Sequence, residues 1–400
     1  MPGGAPLHEP GPRGHDPHAR PLRGLSRRTF LASAAAAGCT APPRDAAAAG
    51  GNFSQRPGFA AWFAANPPAT TLPAPGEQAL LRRWLPRFFL APGEQPPLDF
   101  YADYVAHGGL DGGTRRQATP ALLNARLHDP AAVFVHDRDP DRRPRRAVAY
   151  GRVDRDLLAL DGTPPRRLTF LTWNLAFAVS GLPAAMPGWL EAAASLVADP
   201  QDWHQLDHYT ALCLALDERL RPFAATFQQH NTQRTWLLGD GLLMPADGRL
   251  EVAIARRSNE LYPRPASPVA HRTIGIPDAG GMRYLMGDGE RPFMAADDVV
   301  EPGREIEVEL DFLPPADAFY MFEGYLGERR ALPGRDGPPG AAFNTLPALK
   351  PKALQMLAGF WRENEEGDLA RLEASWAATG SPRAFALAQA PVFLERWQTR

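Results

Sequence analysis

The hydrophobic positions follow two different periods, and the change falls near residue 147. Before it, apolar residues recur every three or four positions, the spacing of one helical face. "PGEQALLRRWLPRFFL" carries Leu80, Leu81, Trp84, Leu85, Phe88 and Phe89 in this way, and "PGFAAWFAAN", "PPLDFYADYVAHGG" and "TPALLNARLHD" are similar. Prolines at or near their starts suit a first helical turn, where a backbone N–H has no partner to lose. These runs predict helices over 53–146. The mixed arginines and aspartates of "HDRDPDRRPRR" (His136 to Arg146) read as a solvated surface loop that closes this segment.

After residue 147 the apolar runs shorten or alternate. "RRLTFLTWNLAFAVSG", "HYTALCLALD", "RPFAATFQQHN", "RLEVAIARRS", "REIEVELDFLP" and "DAFYMFEGYLG" predict strands, and "GDG", "ADG" and "EPG" supply turns between several of them. One helix, "PGWLEAAASLVAD", interrupts the set. Beyond Pro347 helical spacing returns in "KALQMLAGFWRENEEGDLARLEASWAA" and "RAFALAQAPVFLERW". The pattern predicts an α+β fold with an antiparallel β-sandwich or jelly-roll-like core over 147–346. Helices over 53–146 precede that core, and C-terminal helices over 347–400 pack on it.

Composition narrows this picture. The 43 prolines and 36 glycines argue against a helical bundle, and a formal net charge of −2 gives no basic surface for nucleic acid. Lysine occurs only at Lys350 and Lys352, so arginine carries nearly all the positive charge. Two cysteines, Cys39 and Cys213, exclude a disulfide framework and a C-x-x-C metal pair. Cys213 lies in the apolar "ALCLALD" run and reads as an inert buried thiol.

The N-terminus carries the most specific signal. In "LSRRTFLASAAAAGCT", Arg27 and Arg28 precede a short, Ala-rich apolar segment. That arrangement resembles a twin-arginine export signal, and the segment is far below the roughly 20 apolar residues that span a bilayer. "AAGC" resembles a lipoprotein processing site with Cys39 as the acylated residue, although Ala36 stands where a leucine is usual. Residues 1–38 are then a signal peptide and 39–52 a flexible tether. The partners implied are the twin-arginine export machinery and, through the lipid, a membrane. The location implied is the periplasm or outer envelope, soluble if Cys39 is cleaved away rather than acylated.

Candidate chemistry gathers in "DPQDWHQLDHY" (Asp199 to Tyr209). Read as one strand from Asp202 to Leu216, alternation puts Asp202, His204 and His208 on the face of Leu212 and Leu214, with Trp203 and Asp207 turned away. Pairing Leu216 with Pro222 across the following turn would set His208 opposite His230. Asp202, His204 and His230 would then suit a divalent metal such as zinc. No nucleophile elbow, phosphate loop, H-E-x-x-H helix or dinucleotide glycine pattern competes.

Four segments together resemble a family named after a fungal vacuolar protein sorting factor. They are Asp202-Trp203-His204, Gln229-His230, "SNELYP" (Ser258 to Pro263), and "FEGYLG" (Phe322 to Gly327) with "DGPPG" (Asp336 to Gly340). The family has Asp-Trp-Glu, Gln-His, Ser-His-Ala-x-Tyr-Pro and an aromatic-x-Gly-x-x-Gly strand in that order. His204 and Asn259 stand here where the family has Glu and His. The resemblance implies a β-rich, jelly-roll-like core. Two functional readings follow. One is an exported, lipid-anchored envelope protein with a non-catalytic binding or structural role. The other is a metal-dependent hydrolase with Asp202, His204 and His230 as ligands, His208 as ligand or general base, and Asn259 orienting substrate.

Overall fold

Pro86 divides the first helical pattern. The computed structural model describes residues 67–111, 116–137, 144–160, 162–182, 184, 188–196, 199–202, 204–208, 210–229, 232–239, 241–264, 270–275, 294–328, 337–341, 352–360 and 382–398. Helix α1 (Pro75–Arg83) starts with the Ala74 N–H donating to the Glu77 carboxylate at 2.9 Å. It stops before Pro86, because a residue preceding proline is driven out of the helical region. Arg87–Leu90 then forms strand β1, so Phe88 and Phe89 belong to a sheet and not to the expected helix.

Three more strands lie in the segment expected to be helical: β2 (Gly108–Asp111), β3 (Arg116–Gln117) and β4 (Val133–His136). Its described helical parts are α1, a wide turn over Phe100–Tyr104 that tightens over Val105–His107, and α2 (Pro120–Ala125). The hydroxyl of Thr119 caps α2 by accepting from the Leu122 N–H at 3.1 Å. The expected "PGFAAWFAAN" helix and residues 1–52 lie outside the described residues.

From residue 148 strands dominate. They are β5 (Val148–Leu158), β6 (Arg166–Leu175), β7 (Phe177–Ser180), β8 (His204–Asp207), β9 (Ala211–Leu216), β10 (Pro222–Gln229), β11 (Thr232–Leu238) and β12 (Gly241–Leu242). There follow β13 (Glu251–Ile254), β14 (Leu261–Pro263), β15 (Ala270–Gly275), β16 (Met294–Val299), β17 (Arg304–Ile306) and β18 (Glu309–Asp311). Helix α3 (Gly188–Ser195) interrupts them as expected. "DAFYMFEGYLG" is not a strand. It opens with the short helix α4 (Ala318–Met321), which Asp317 caps by accepting from the Phe319 N–H at 2.9 Å. The described C-terminal helices are α5 (Lys352–Ala358), α6 (Pro382–Ala388) and α7 (Ala390–Gln398).

Among the described residues the architecture is mixed α+β, mostly sheet with few helices and no closed barrel. A seven-stranded sheet runs β12-β11-β10-β9-β6-β5-β18, and a four-stranded sheet runs β14-β13-β1-β17. Smaller sheets are β3-β2-β4, β7-β8 and β15-β16. The expected purely antiparallel order does not hold: β18 joins β5, β12 joins β11 and β1 joins β13 in parallel. For β1 and β18 the partners are distant in sequence, and a long connection leaves either direction open.

Three apolar runs that alternation presents as single strands are each divided. The run 166–181 becomes β6 and β7, 202–216 becomes β8 and β9, and 304–314 becomes β17 and β18. In each case the two halves serve different sheets. Period-2 alternation reports that a residue is extended, not which neighbour it pairs with.

Two hydrophobic clusters flank the seven-stranded sheet. One contains Leu171, Trp173, Leu212, Leu214, Ala225 and Phe227 from that sheet with Phe88, Leu90, Val252 and Ile254 from the four-stranded sheet. The other contains Leu168, Phe170, Ala215, Ala224 and Leu237 with Leu354, Leu357, Phe385 and Phe393 from α5, α6 and α7. A third gathers Phe100, Tyr104, Phe134, Tyr150, Phe319 and Phe322.

Candidate functional site

The stretch from Asp199 to Tyr209 does not form the single strand that its alternation suggests. Asp202 lies in the turn before β8, half-buried, with its N–H donating to the Asp199 carbonyl at 3.2 Å. Strand β8 pairs with β7, setting Asp207 opposite Phe177, Gln205 opposite Val179 and His204 opposite Ser180. Beyond the break, β9 pairs with β6, beginning with Ala211 opposite Asn174. Residues 208–210 on one side therefore face residues 175–176 on the other, one extra residue in the manner of a β-bulge.

That extra residue reverses the alternation. Phe177 belongs to the same hydrophobic cluster as Leu212 and Leu214, and the residue opposite Phe177 is Asp207. The expectation that Asp207 turns away from that face is thus corrected. Leu206 has φ +51°, a left-handed conformation that a leucine adopts only under constraint, and it is fully buried. The chain through Gln205, Leu206, Asp207 and His208 is buried throughout.

The register expected beyond the turn is right at its first pair only. Leu216 does oppose Pro222, but a bulge between Pro222 and Ala224 shifts every later pair, so that Ala224 opposes Ala215 and Gln228 opposes Ala211. The ladder ends there. The described register is one residue out from the expected one, and the expected pairing of His208 with His230 lies outside the described residues. His230 and the side chain of His204 lie outside the described residues.

What does converge is Asp207, Thr210 and Asn259. The Thr210 hydroxyl donates toward the Asp207 carboxylate at 3.3 Å to Oδ1 and 3.4 Å to Oδ2. Asn259 Nδ2 donates to Asp207 Oδ2 at 3.0 Å and to the Val179 carbonyl at 2.9 Å. Asn259 holds φ +60°, a conformation asparagine tolerates better than most residues, and this brings its amide back against β7 and β8. His208 has no exposed surface and stands edge-on to the Phe319 ring, 5.3 Å between centroids. Asn259 and His208 were legible as candidates from sequence. Asp207 and Thr210 were missed, although their i, i+3 spacing beside the strand break was visible.

The glycine-rich segments meet close by. The Leu326 N–H donates to the Pro338 carbonyl at 2.9 Å, and the Gly337 N–H to the Glu328 carbonyl at 3.1 Å. The Glu328 N–H donates to Gln205 Oε1 at 2.9 Å, tying this pair of segments to β8. Gly327 and Gly337 pack backbone to backbone, where a Cβ on Gly337 would lie 2.1 Å from the Gly327 Cα. "FEGYLG", "DGPPG" and "DPQDWHQLDHY" are therefore neighbours in space.

Among the described residues no three His, Cys, Asp or Glu side chains converge as a metal-binding group. Comparison with protein families, with characterised proteins and with solved structures finds no match to this chain.

Proposed function

We propose that this chain is a twin-arginine-exported, lipid-anchored envelope protein with a non-catalytic binding or structural role. The observation that carries the second half is the state of Asp207. Its carboxylate is 1% exposed and accepts from Asn259 and Thr210, themselves buried. A general base or open metal ligand needs a lone pair within reach of substrate or water. A buried carboxylate held by two neighbouring side chains suits a network that fixes β7, β8 and the 258–260 turn in one arrangement. The export half rests on Arg27, Arg28 and Cys39 in the sequence. No helix among the described residues is long and apolar enough to cross a membrane.

Within this reading the central domain is a β-sandwich of jelly-roll character, as in the family it resembles. The hydrophobic cluster shared by the seven- and four-stranded sheets supports that layering.

Fractionation tests the anchor: Cys39→Ser should move the protein from membranes to the soluble periplasmic fraction, and a double Arg27→Lys, Arg28→Lys variant should stay in the cytoplasm. An unchanged membrane fraction for Cys39→Ser would remove the lipid anchor from the proposal. Metal analysis tests the site. Stoichiometric metal in protein folded in the cytoplasm, lost in both His204→Ala and His230→Ala, would replace the non-catalytic reading with the hydrolase.

A further inference from the structure

Exposed leucines gather at one end of the seven-stranded sheet. From β5 to β11 its neighbouring strands run antiparallel, so the last residues of β5, β9 and β11 lie beside the first residues of β6 and β10. Of the seven large apolar side chains exposed among the described residues, three stand at this end. They are Leu157 on β5, 51% exposed, Leu220 between β9 and β10, 46%, and Leu243 just past β12, 63%. Leu157 opposes Arg167, whose N–H donates to the Glu218 carboxylate at 3.3 Å, and this puts the 217–221 turn next to Leu157. Leu243 follows Leu242, the partner of Leu238 at the end of β11.

Leu220 carries the most information. The Asp217 N–H donates to the Arg221 carbonyl and the Leu220 N–H to the Asp217 carbonyl, both at 2.9 Å, which closes a three-residue loop over 218–220. Asp217 Oδ1 locks it by accepting from the Arg219 N–H at 2.8 Å and the Arg221 N–H at 2.9 Å. Hairpin loops of this length commonly place glycine in a left-handed conformation at the third position, and here Leu220 holds it with φ +57°. The Cβ of a leucine crowds its own backbone there. Leu206, the other leucine with positive φ, is fully buried, so packing stands behind its conformation. Leu220 is nearly half exposed, and a side chain that the fold itself disfavours at a loop tip points to a contact outside the fold.

The charges beside these leucines fit a lipid surface. In the 157–167 and 217–221 stretches Arg166, Arg167, Arg219 and Arg221 stand with Asp217, Glu218 and, in the sequence, Asp161. Asp217 is taken up by its own turn and by Arg221 at 2.7 Å. Arg167 and Arg219 are exposed, and their guanidinium groups make no ion pair or hydrogen bond among the described residues. Leucines on separate turns can each enter the acyl boundary of a bilayer alone while neighbouring arginines meet headgroup phosphates, whereas a protein partner calls for one contiguous apolar core. Helix α1 runs against β5, with Glu77 joined to Arg155 and Leu81 beside Gly151, so the described chain, coming from the side of Cys39, enters the fold at the Leu157 end. We propose that this end of the sheet docks on an anionic bilayer, with Leu157, Leu220 and Leu243 inserted and Arg167 and Arg219 on headgroup phosphates. The choice of a bilayer rests on the envelope reading above, but the surface does not require an acylated Cys39.

Flotation of the full chain carrying Cys39→Ser with vesicles of phosphatidylethanolamine and phosphatidylglycerol tests this apart from lipidation. The expected result is saturable binding that weakens as salt rises. Leu220→Gly relieves the backbone and removes the side chain, so the melting temperature should be unchanged or higher while vesicle affinity falls ~10-fold. A leucine kept only for the fold predicts the reverse, a lower melting temperature with binding unchanged. Leu243→Ser should also weaken binding ~10-fold, and Arg219→Gln about 5-fold. No vesicle binding by the Cys39→Ser chain, or binding that none of the three variants moves, would overturn the surface, and fractionation of the wild type would still decide the acyl anchor on its own. Self-association abolished by Leu220→Gly, with no binding to vesicles, would assign the turn to a second copy of the chain and equally overturn the proposal.

Discussion

Asp99 and Asp317 both cap short helical turns, and burial acts on them with opposite net results. Burial alone would push the Asp99 carboxyl up. The Ala102 N–H at 2.9 Å, Arg146 at 2.6 Å and the Tyr101 N–H at 3.0 Å outweigh it and hold the group below its ordinary 3.8. Its stabilising effect is complete above that ordinary value and lost as pH falls through the lower folded one. For Asp317 burial prevails over the hydrogen bonds from the Tyr101 hydroxyl and the Phe319 N–H, so its carboxyl is raised. Its ionised form therefore costs stability, a cost absent below 3.8 and complete once pH exceeds the raised folded value. Urea unfolding between pH 3 and pH 7 separates the two. Asp99→Asn should lose about 1.5–3 kcal/mol at neutral pH and less in acid. Asp317→Asn should improve relative to wild type as pH rises, and parallel trends for both would contradict this account. Gly337 is the sharpest steric site: any Cβ there meets the Gly327 backbone at 2.1 Å, which no side-chain rotation relieves. Gly337→Ala should cost about 1–3 kcal/mol or more in the same assay, while a variant as stable as wild type would show that the two glycines need not touch.

Among the elements, β1 shows how a four-residue strand can join distant parts of the chain. It lies between β13 and β17, and Phe88 and Leu90 carry it into the cluster shared with the seven-stranded sheet. Phe88→Ala should destabilise by about 3–5 kcal/mol. If the two sheets face each other across this cluster, hydrogen exchange should quicken in β13 and in β6 and β9 together. Acceleration limited to β13 would count against the sandwich reading. The same element shows why pattern reading overran. Leu80, Leu81, Trp84, Leu85, Phe88 and Phe89 keep helical spacing across Pro86, yet the proline ends the helix, and the phenylalanines find their burial as strand residues. Bulges did the equivalent for β8 to β10. One inserted residue at 208–210 and one at Pro222 to Ala224 changed which side chains share a face.

For the molecule as a whole, the C-terminal helices are part of the core. Phe393 has no exposed surface and packs edge-on against Phe360, 5.0 Å between centroids, while Trp397 stacks on Phe223 at 4.2 Å. Those contacts cover the face of the seven-stranded sheet that carries Leu168, Phe170 and Ala215. Phe393→Ala should cost about 3–5 kcal/mol. It should also loosen β10 in hydrogen exchange, and a change confined to α7 would mean that the helix is only an appendage.

The sequence by itself determined the texture: a β-rich stretch from residue 147, helix α3 within it, helices at the C-terminal end, and the α+β class. These follow from local chemistry, because proline, glycine and the period of apolar residues act through the backbone of a few neighbouring positions. It also named Asn259, which the structure places against Asp207. Only the tertiary structure decided that Asp207 and Thr210 join Asn259, that pairing is partly parallel, and that Arg152 lies over the Tyr320 ring. Asn259 lies 52 positions from Asp207 and β1 about 164 from β13, separations that leave no mark in local periodicity, and one extra residue in a strand inverts every side chain beyond it.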